Sequence, residues 1–428
     1  MIRIARYSRD LIERLAGNPG INEDAEIQRR VEEIIEQVRQ RGDAAVLEYC
    51  RLFDDFAPSP LKAGEEEFEE AVSQLDDGFL DILAQAAENI KNFHKRQLRR
   101  GFEFSPGEGI VLGQKVTPIE RVGIYVPGGT ASYPSTVLMN AIPARLAGVP
   151  QLIICTPPDR QGRAAPGVLA AARIAGVDAV YKCGGAQAIA AMAYGTESIP
   201  RVYKIVGPGN IYVAAAKRCV FGQVDIDMIA GPSDVLILAD SAAEPALIAA
   251  DMLAQAEHDA LASAVLVCDS EKLARQVSLE LERRLESLPR AEIASKAIDS
   301  GGLIIVAGDM EEACECVNLI APEHLEIHTA EPFWVLENIR NAGSVFLGSC
   351  SPAAIGDYFA GPNHTLPTMG TARFASPLSV DDFVKKSSYA YYSRDALYQA
   401  ADKIAAFARA EGLEAHARSV EARFEVSG

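Results

Sequence analysis

The chain has 428 residues, which is long enough to build two or three hydrophobic cores. Its 41 basic and 59 acidic side chains give a formal net charge of -18, which argues against nucleic acid or an anionic membrane surface as the main partner. With 49% hydrophobic residues, no apolar run near the ~18 residues of a membrane helix, and no secretory signal pattern, the composition is typical of a soluble globular protein. The 8 cysteines show no framework spacing, so we expect reduced thiols and a cytoplasmic location.

The first 100 residues are predicted to be helical. Apolar side chains recur at the helical period over residues 27–38 and again over residues 79–93. The basic run 91–100, which contains His94, is typical of a solvated helix face.

From residue 122 onward, short apolar runs alternate with helical stretches. This alternation predicts parallel sheets covered by helices on both faces. The predicted strands of a first sheet are 122–126, 152–155, 179–181 and 202–206, with helices 135–146, 168–174, 186–194 and 212–219 between and after them. The predicted strands of a second sheet are 235–238, 264–267, 303–306, 325–328 and 344–347, with helices 245–256 and 272–285.

The resulting fold class is α/β, with two doubly wound, Rossmann-like domains facing a cleft and functional motifs at strand ends. After residue 376 the chain becomes polar and is predicted to be helical. That tail is too small for a core of its own, so it must dock on another surface.

Three glycine-rich turns follow strands of the first predicted sheet, at residues 125–130, 184–187 and 207–210. Each leads toward a helix, so backbone N–H groups and a helix N-terminus can face an anion such as a pyrophosphate. None is the dinucleotide fingerprint, and a plain strand-to-helix loop is the alternative for any one of them. Three such turns at successive strand ends of one sheet favour a nucleotide site.

Five of the six histidines lie after residue 257, mostly beside acidic or amide side chains. Gln255 and His258 are three apart in a predicted helix and share a face. A carboxylate such as Asp357 and an imidazole such as His416 would complete four N/O ligands, a set that suits zinc. The alternative is a partly exposed helix end that binds no metal.

Glu323 and His324 are candidates for general bases, because the pKa values of such a pair can be tuned toward the working pH. Neighbours in a regular strand point to opposite faces, so both reach one cleft only from the loop ahead of strand 325–328. A solvated loop pair is the alternative. His324 and His328 are four apart, but in a strand that spacing makes a poor metal pair.

Taken together, these motifs resemble those of histidinol dehydrogenase, nearly end to end from residue 20 to residue 416. The matching segments are 121–129, 184–190, 204–210, 230–233, 255–258, 322–325 and 356–358. The resemblance implies oxidation of L-histidinol to L-histidine through bound L-histidinal, the last steps of histidine biosynthesis. It also implies NAD as cofactor and one Zn²⁺ per subunit.

The resemblance assigns roles to individual positions. The implied zinc ligands are Gln255, His258, Asp357 and His416; the bases are Glu323 and His324; the NAD contacts are Tyr125, Gln187 and Asn210; and the substrate contacts are Ser233, His364 and Glu411, together with the four zinc ligands and His324. It further implies a homodimer with shared active sites, in which the C-terminal tail carries Glu411 and His416 to the partner.

The implied domain division has four parts. They are an N-terminal helical arm (1–20), a metal-binding and catalytic α/β domain (21–121 plus 233–376), a nucleotide-binding α/β domain (122–232) and a helical tail that crosses to the partner (377–428). Two positions depart from the family's usual pattern: Ile229 replaces Pro and Asp234 replaces Glu.

Three other functions remain open at this point. A related zinc- and NAD-dependent dehydrogenase would act on another small polar alcohol. A zinc hydrolase would use metal-bound water but would leave the glycine turns unexplained. A non-catalytic nucleotide-binding or scaffold protein would leave Glu323 and His324 without a role.

Overall fold

The computed structural model describes residues 2–16, 25–128, 132–229 and 231–425. The chain divides into two compact units, the first formed by residues 1–97 and 119–383 and the second by residues 98–118 and 384–428. The strands are β1 (Arg3–Arg6), β2 (Phe102–Phe104), β3 (Ile110–Pro118), β4 (Arg121–Tyr125), β5 (Gln151–Thr156), β6 (Ala179–Lys182), β7 (Lys204–Val206), β8 (Asp225–Ile226), β9 (Asp234–Ala239), β10 (Ser263–Cys268), β11 (Gly302–Val306), β12 (His324–His328), β13 (Ser344–Leu347) and β14 (Val384–Tyr392).

Helices follow most strands of the first unit, as the alternating pattern predicts, and two further helices belong to the second unit. They are α1 (Arg9–Ala16), α2 (Ala25–Arg41), α3 (Asp43–Phe53), α4 (Glu65–Ser73), α5 (Asp77–His94), α6 (Pro134–Ala147), α7 (Pro166–Ala175), α8 (Gly185–Tyr194), α9 (Ile211–Val220), α10 (Pro245–Ala256), α11 (Glu271–Leu285), α12 (Ala291–Gly301), α13 (Met310–Ile320), α14 (Pro332–Asn338), α15 (Ala353–Tyr358), α16 (Arg394–Ala410) and α17 (Glu414–Glu425). Among the described residues, none of these helices is long and apolar enough to cross a membrane.

A five-stranded parallel sheet has the order β6-β5-β4-β7-β8. Successive side chains of a strand point to opposite faces. Ile124 therefore packs in a core with α5, α6 and α7, while Tyr125 packs in a second core with α2, α3, α8 and α9. Both faces of the sheet are covered, as predicted for a doubly wound arrangement.

The helices of the first hundred residues pack against this five-stranded sheet. Val31 and Val38 of α2 lie in one core with Ile153 of β5 and Ile189 of α8. This packing differs from the predicted grouping of residues 21–121 with residues 233–376. The helical period identifies a buried face, but it carries no information about which sheet covers that face.

His94 is the last residue of α5 and is fully buried, not solvated as its basic neighbours suggested. It follows Ile90 by four positions and Ala87 by seven, which places it on the apolar stripe of the helix. Its Nδ1 lies 2.7 Å from Oε1 of Gln97. The charged residues around it occupy the other faces.

A six-stranded parallel sheet has the order β1-β11-β10-β9-β12-β13. Its first strand is unexpected, because the arm 1–20 was predicted to be helical. Instead β1 pairs with β11, with Ile4 opposite Ile304, and α1 is the only helix in the described part of the arm. Residues 17–24 lie outside the described part of the chain. A strand of four residues is too short for its alternating pattern to be distinguished from chance in the sequence.

The second unit contains an antiparallel sheet in the order β14-β3-β2, followed by the helices α16 and α17. The tail is therefore not wholly helical as predicted, since it begins with a nine-residue strand. That strand is almost entirely exposed, so it lacks the buried side of an apolar–polar alternation. Ala405, Ala408 and Ala417 form a very small core between the helices.

Candidate active site

The candidate active site is built where β12 begins, between β9 and β13. Glu323 precedes the strand and His324 opens it, and both side chains are buried. The Nδ1 atom of His324 lies 3.1 Å from the carbonyl oxygen of Asp234, and its Nε2 atom lies 3.6 Å from Oδ1 of Asp357. The buried Nε2 atom has no hydrogen-bond partner among the described residues, so it is available to a ligand.

Glu323 and Asp234 hold each other through reciprocal hydrogen bonds between β9 and the turn before β12. The backbone N–H of Asp234 donates to Oε2 of Glu323 at 3.0 Å, and the N–H of Glu323 donates to Oδ1 of Asp234 at 2.8 Å. The carbonyl of Asp234 also faces His324. Asp234 thus positions both candidate bases. The sequence did not predict this role; it showed only that Asp234 replaces the glutamate usual in the family.

The charges of the site perturb one another strongly. Burial, followed by the carboxylates of Asp234 and Asp357, raises the pKa of Glu323 to about 8, against the opposing effect of His324. Burial alone would lower the pKa of His324, but Glu323 and Asp357 outweigh it and raise the value to about 9. Three carboxyl groups and one imidazole therefore influence one another's protonation within one cluster, as in many acid–base sites.

Asp357 lies on the short helix α15 and links this pair to two further histidines. Burial would raise its pKa, but the interaction with His324, and the fields of His364 and His258, lower it below its ordinary value. The Nδ1 atom of His364 lies 3.0 Å from the carbonyl oxygen of Asp357. Burial lowers the pKa of His364, which favours its neutral form.

The other residues of this half of the site lie at the ends of neighbouring elements. Gln255 is buried near the end of α10, and His258 is exposed in the turn that follows, with its N–H donating to the carbonyl of Gln255 at 3.2 Å. Ser233 immediately precedes β9, and its carbonyl accepts a hydrogen bond from Ser263. The carboxylate of Asp357, the exposed imidazole of His258 and the buried amide of Gln255 are donors of the kinds that fit a borderline cation such as Zn²⁺.

Two predicted site residues belong to the second unit. Glu411 directly follows α16, and His416 lies in the first turn of α17. Both side chains are exposed. The predicted ligand set is therefore divided between the two units of the chain.

The glycine turns follow the carboxyl ends of strands in the five-stranded sheet. Gly185 opens α8 with a φ of 66°, and its N–H donates to the hydroxyl of Tyr125 at 3.1 Å. Gln187 is 1% exposed, and neither its amide oxygen nor its nitrogen has a hydrogen-bond partner among the described residues. A buried amide with unmet hydrogen bonds next to a helix N-terminus fits a polar ligand such as a nucleotide.

The turn at residues 207–210 is held by a buried ion pair. Gly207 has a φ of 107°, and a Cβ there would lie 2.1 Å from the carbonyl oxygen of Tyr125, so only glycine fits. Asp227 accepts the N–H of Gly207 at 2.8 Å and pairs with Lys217 of α9. Asn210 caps the same helix, since its side-chain oxygen accepts from Tyr212 and Val213. In the first turn, residues 129–131 lie outside the described residues.

The chain is similar to known proteins over nearly its whole length. The family model described as histidinol dehydrogenase matches residues 19–424. A histidinol dehydrogenase of Geobacillus kaustophilus is 57% identical over 419 residues, covering 97% of this chain and 99% of its own length. That of Bacillus subtilis is 56% identical over 412 residues, covering 96% of each chain.

Among solved structures, the histidinol dehydrogenase of Elizabethkingia anophelis is similar over nearly its whole length. It has a TM-score of 0.94 and 37% sequence identity, and the match covers 99% of this chain and 98% of that one. The mixed α/β fold with parallel sheets is therefore shared with that enzyme. On the sequence and structure matches together, the chain belongs to the histidinol dehydrogenase family of oxidoreductases.

Proposed function

We propose that this enzyme oxidises L-histidinol to L-histidine through bound L-histidinal, with NAD and one Zn²⁺ per subunit, as the last steps of histidine biosynthesis. The observation that carries the proposal is the arrangement of the buried residues Glu323 and His324, at the start of β12, beside the half-buried carboxylate of Asp357. It places two titratable groups beside a carboxylate that can accept a cation. Family membership then connects this chemistry with histidinol.

Gln255, His258, Asp357 and His416 would hold the zinc ion. When bound, zinc supplies a Lewis-acidic anchor for the imidazole and amine of the substrate, a positioning role that leaves the alcohol free to react. Glu411 would balance the charge of the substrate amine, in line with the acidic character of the chain. Ser233 and His364 would complete the substrate contacts.

His324 is the proposed base for the alcohol. To accept the hydroxyl proton at Nε2, its ring must be neutral, whereas Glu323 and Asp357 favour the protonated ring in the chain alone. A cation held by the Asp357 carboxylate would weaken that influence and would lower the pKa of His324 toward its ordinary range. The carbonyl of Asp234 fixes the other ring nitrogen and therefore the orientation of the imidazole.

Glu323 is the proposed base for the second half of the reaction. The aldehyde must gain a water molecule before it can lose a second hydride, and a carboxylate can remove a proton from that water. Burial raises the pKa of Glu323 to about 8, which makes its ionised form a stronger base than an exposed glutamate. The N–H of Asp234 holds one of its oxygens in place.

Tyr125, Gln187 and Asn210 would contact NAD at the glycine turns. When bound, NAD accepts the hydride in each half-reaction. The unsatisfied amide of Gln187 and the N-termini of α8 and α9 support this assignment.

A homodimer with shared active sites is part of the proposal. The second unit exposes several aromatic side chains, including Phe102, Tyr391 and Phe407, although its own core is minimal. Burying such a surface against a second copy of the chain is favourable. In this arrangement the tail would bring Glu411 and His416 to the partner's site. In the same proposal, residues 122–232 are the nucleotide-binding domain and the location is cytoplasmic, consistent with eight free cysteines.

The direct test is NADH formation from L-histidinol by the purified enzyme, with and without a chelator. We expect activity that chelation abolishes and Zn²⁺ restores. A panel of other small polar alcohols tests the alternative, a related dehydrogenase with a different substrate. Faster turnover of another alcohol, or activity indifferent to complete removal of metal, would contradict the proposal.

A further inference from the structure

A second cluster of metal-ligating side chains lies deeper along β12 and shares no residue with the zinc ligands proposed above. It consists of Asp251 on α10 and of Glu326 and His328 on β12. Leu325 and Ile327 point to the opposite face of the strand and pack in a hydrophobic core. Glu326 and His328 therefore face the helix that carries Asp251.

The ligand atoms of the three residues are close enough to coordinate one ion. The Nε2 atom of His328 lies 3.4 Å from Oε2 of Glu326 and 3.7 Å from Oδ2 of Asp251, and all three ligand atoms lie within 4.8 Å of one another. Zinc–ligand bonds of roughly 2.0–2.1 Å in a tetrahedral site place neighbouring ligand atoms about 3.3–3.5 Å apart. The observed spacing is close to that value and longer than an ordinary hydrogen bond.

The cluster is buried and its polar atoms are unsatisfied. His328 is 4% exposed and Glu326 is 1% exposed. Neither ring nitrogen of His328, nor Oε2 of Glu326, has a hydrogen-bond partner among the described residues. The other oxygen of Glu326 accepts the N–H of Ala353 at 2.7 Å, which fixes the carboxylate with Oε2 directed at the cluster. Buried polar atoms are normally paired, so this set points to a ligand.

The charge balance also favours a cation. In the part of the chain that the structure describes, neither Asp251 nor Glu326 has an ion pair with lysine or arginine, and His328 is their common partner. Burial and the nearby carboxylate of Glu326 raise the pKa of Asp251 to about 7, and the single imidazole of His328 only partly offsets the cost of placing the two carboxylates together. A divalent cation compensates both.

We propose that Asp251, Glu326 and His328 form a second divalent-cation site of the zinc class, distinct from the catalytic metal site. Three protein ligands leave a fourth position for water, and the partly exposed side chain of Asp251 provides access. The ion would tie α10 to β12. Asp251 lies one helical turn before Gln255, and Glu326 lies two residues after His324 on the same face of the strand, so the ion holds the elements that carry the active site in register.

Anomalous diffraction at the zinc absorption edge tests the proposal on the unmodified enzyme. Crystals soaked in Zn²⁺ are expected to show a peak between Asp251, Glu326 and His328, whether or not a second peak appears at the catalytic residues. The absence of a peak at this cluster would overturn the proposal. Because the experiment measures where the ion is bound, its result depends neither on enzyme activity nor on whether the catalytic site holds a metal.

Metal analysis of variants gives a second test. The substitution His328→Phe keeps a flat ring and removes both nitrogens, so saturated enzyme should lose about one zinc ion per subunit. The matched control is His94→Phe, which removes another buried histidine and should leave the zinc content unchanged. Equal zinc content in His328→Phe and wild type, with both proteins folded by circular dichroism, would overturn the assignment.

Discussion

The ion pair between Lys217 and Asp227 provides a quantitative test of how the turn at residues 207–210 is held. Both side chains are almost completely buried, at 3% and 1% exposure. The ammonium group of Lys217 also donates to the carbonyl of Gly207 at 3.0 Å, while Asp227 accepts the N–H of Gly207. The substitution Lys217→Met keeps most of the apolar stem and removes only the charge and its hydrogen bonds.

The expected loss is large because Asp227 is left as a buried carboxylate without its cation. Removing one partner of a buried ion pair costs about 3–5 kcal/mol. Lys204→Met, in the preceding strand β7, is the matched control, since Lys204 is also buried but its partner Asp225 is 50% exposed. Water can solvate that carboxylate, so we expect a loss of only about 1 kcal/mol.

The assay is urea unfolding at neutral pH, followed by circular dichroism, together with hydrogen exchange of the segment 204–210. Lys217→Met should lower the free energy of unfolding by at least ~2 kcal/mol more than Lys204→Met and should speed exchange in that segment. NAD binding should weaken, by about tenfold for each 1.4 kcal/mol needed to reorder the turn. Equal destabilisation by the two substitutions, with unchanged exchange, would refute this view of the turn.

The remaining predictions concern the catalytic groups. Glu323→Gln should reduce aldehyde oxidation by about 10²–10⁴-fold and alcohol oxidation much less; equal losses in both half-reactions would contradict the role of Glu323 as the base for water. The pKa of Glu323 is raised to about 8, and a base acts in its ionised form. The rate of wild-type aldehyde oxidation should therefore rise with pH up to and through that value. A rate that stays constant from about pH 6 to about pH 9 would contradict the role of Glu323 as a base. His324→Ala should lower turnover far more than zinc content, measured by metal analysis, and loss of the metal would refute its assignment as a base. Mixing inactive His416→Ala with inactive His258→Ala protein should restore some activity if subunits exchange; mixed dimers that stay inactive would argue against shared sites.

The parallel sheets were predictable from the sequence because their strands are buried on both faces. Continuous apolar runs such as residues 152–155 have no other common explanation when helical stretches separate them. The strands β2, β3 and β14 lack this signal, since the side chains of β2 and β14 are largely exposed and those of β3 are mostly half-buried. His94 was wrongly predicted to be solvated because the prediction followed the basic residues around it. Its spacing of four from Ile90, which places it on the buried face of α5, was not considered.

The location of the site was only partly predictable. The rule that doubly wound sheets bind ligands at the carboxyl ends of strands fits the glycine turns. Glu323, His324 and Ser233, however, lie at the amino ends of β12 and β9. The bonds between Asp234 and Glu323 join residues 89 positions apart, a long-range pairing that no local pattern contains.

The central claim is that one buried pair of bases completes both oxidations before the product leaves. It is tested most directly by counting NADH molecules formed per L-histidinol consumed, with enzyme in catalytic amount and NAD in excess. The proposed mechanism predicts two NADH per substrate, with L-histidine as the product. One NADH per substrate, with the aldehyde released into solution, would contradict it.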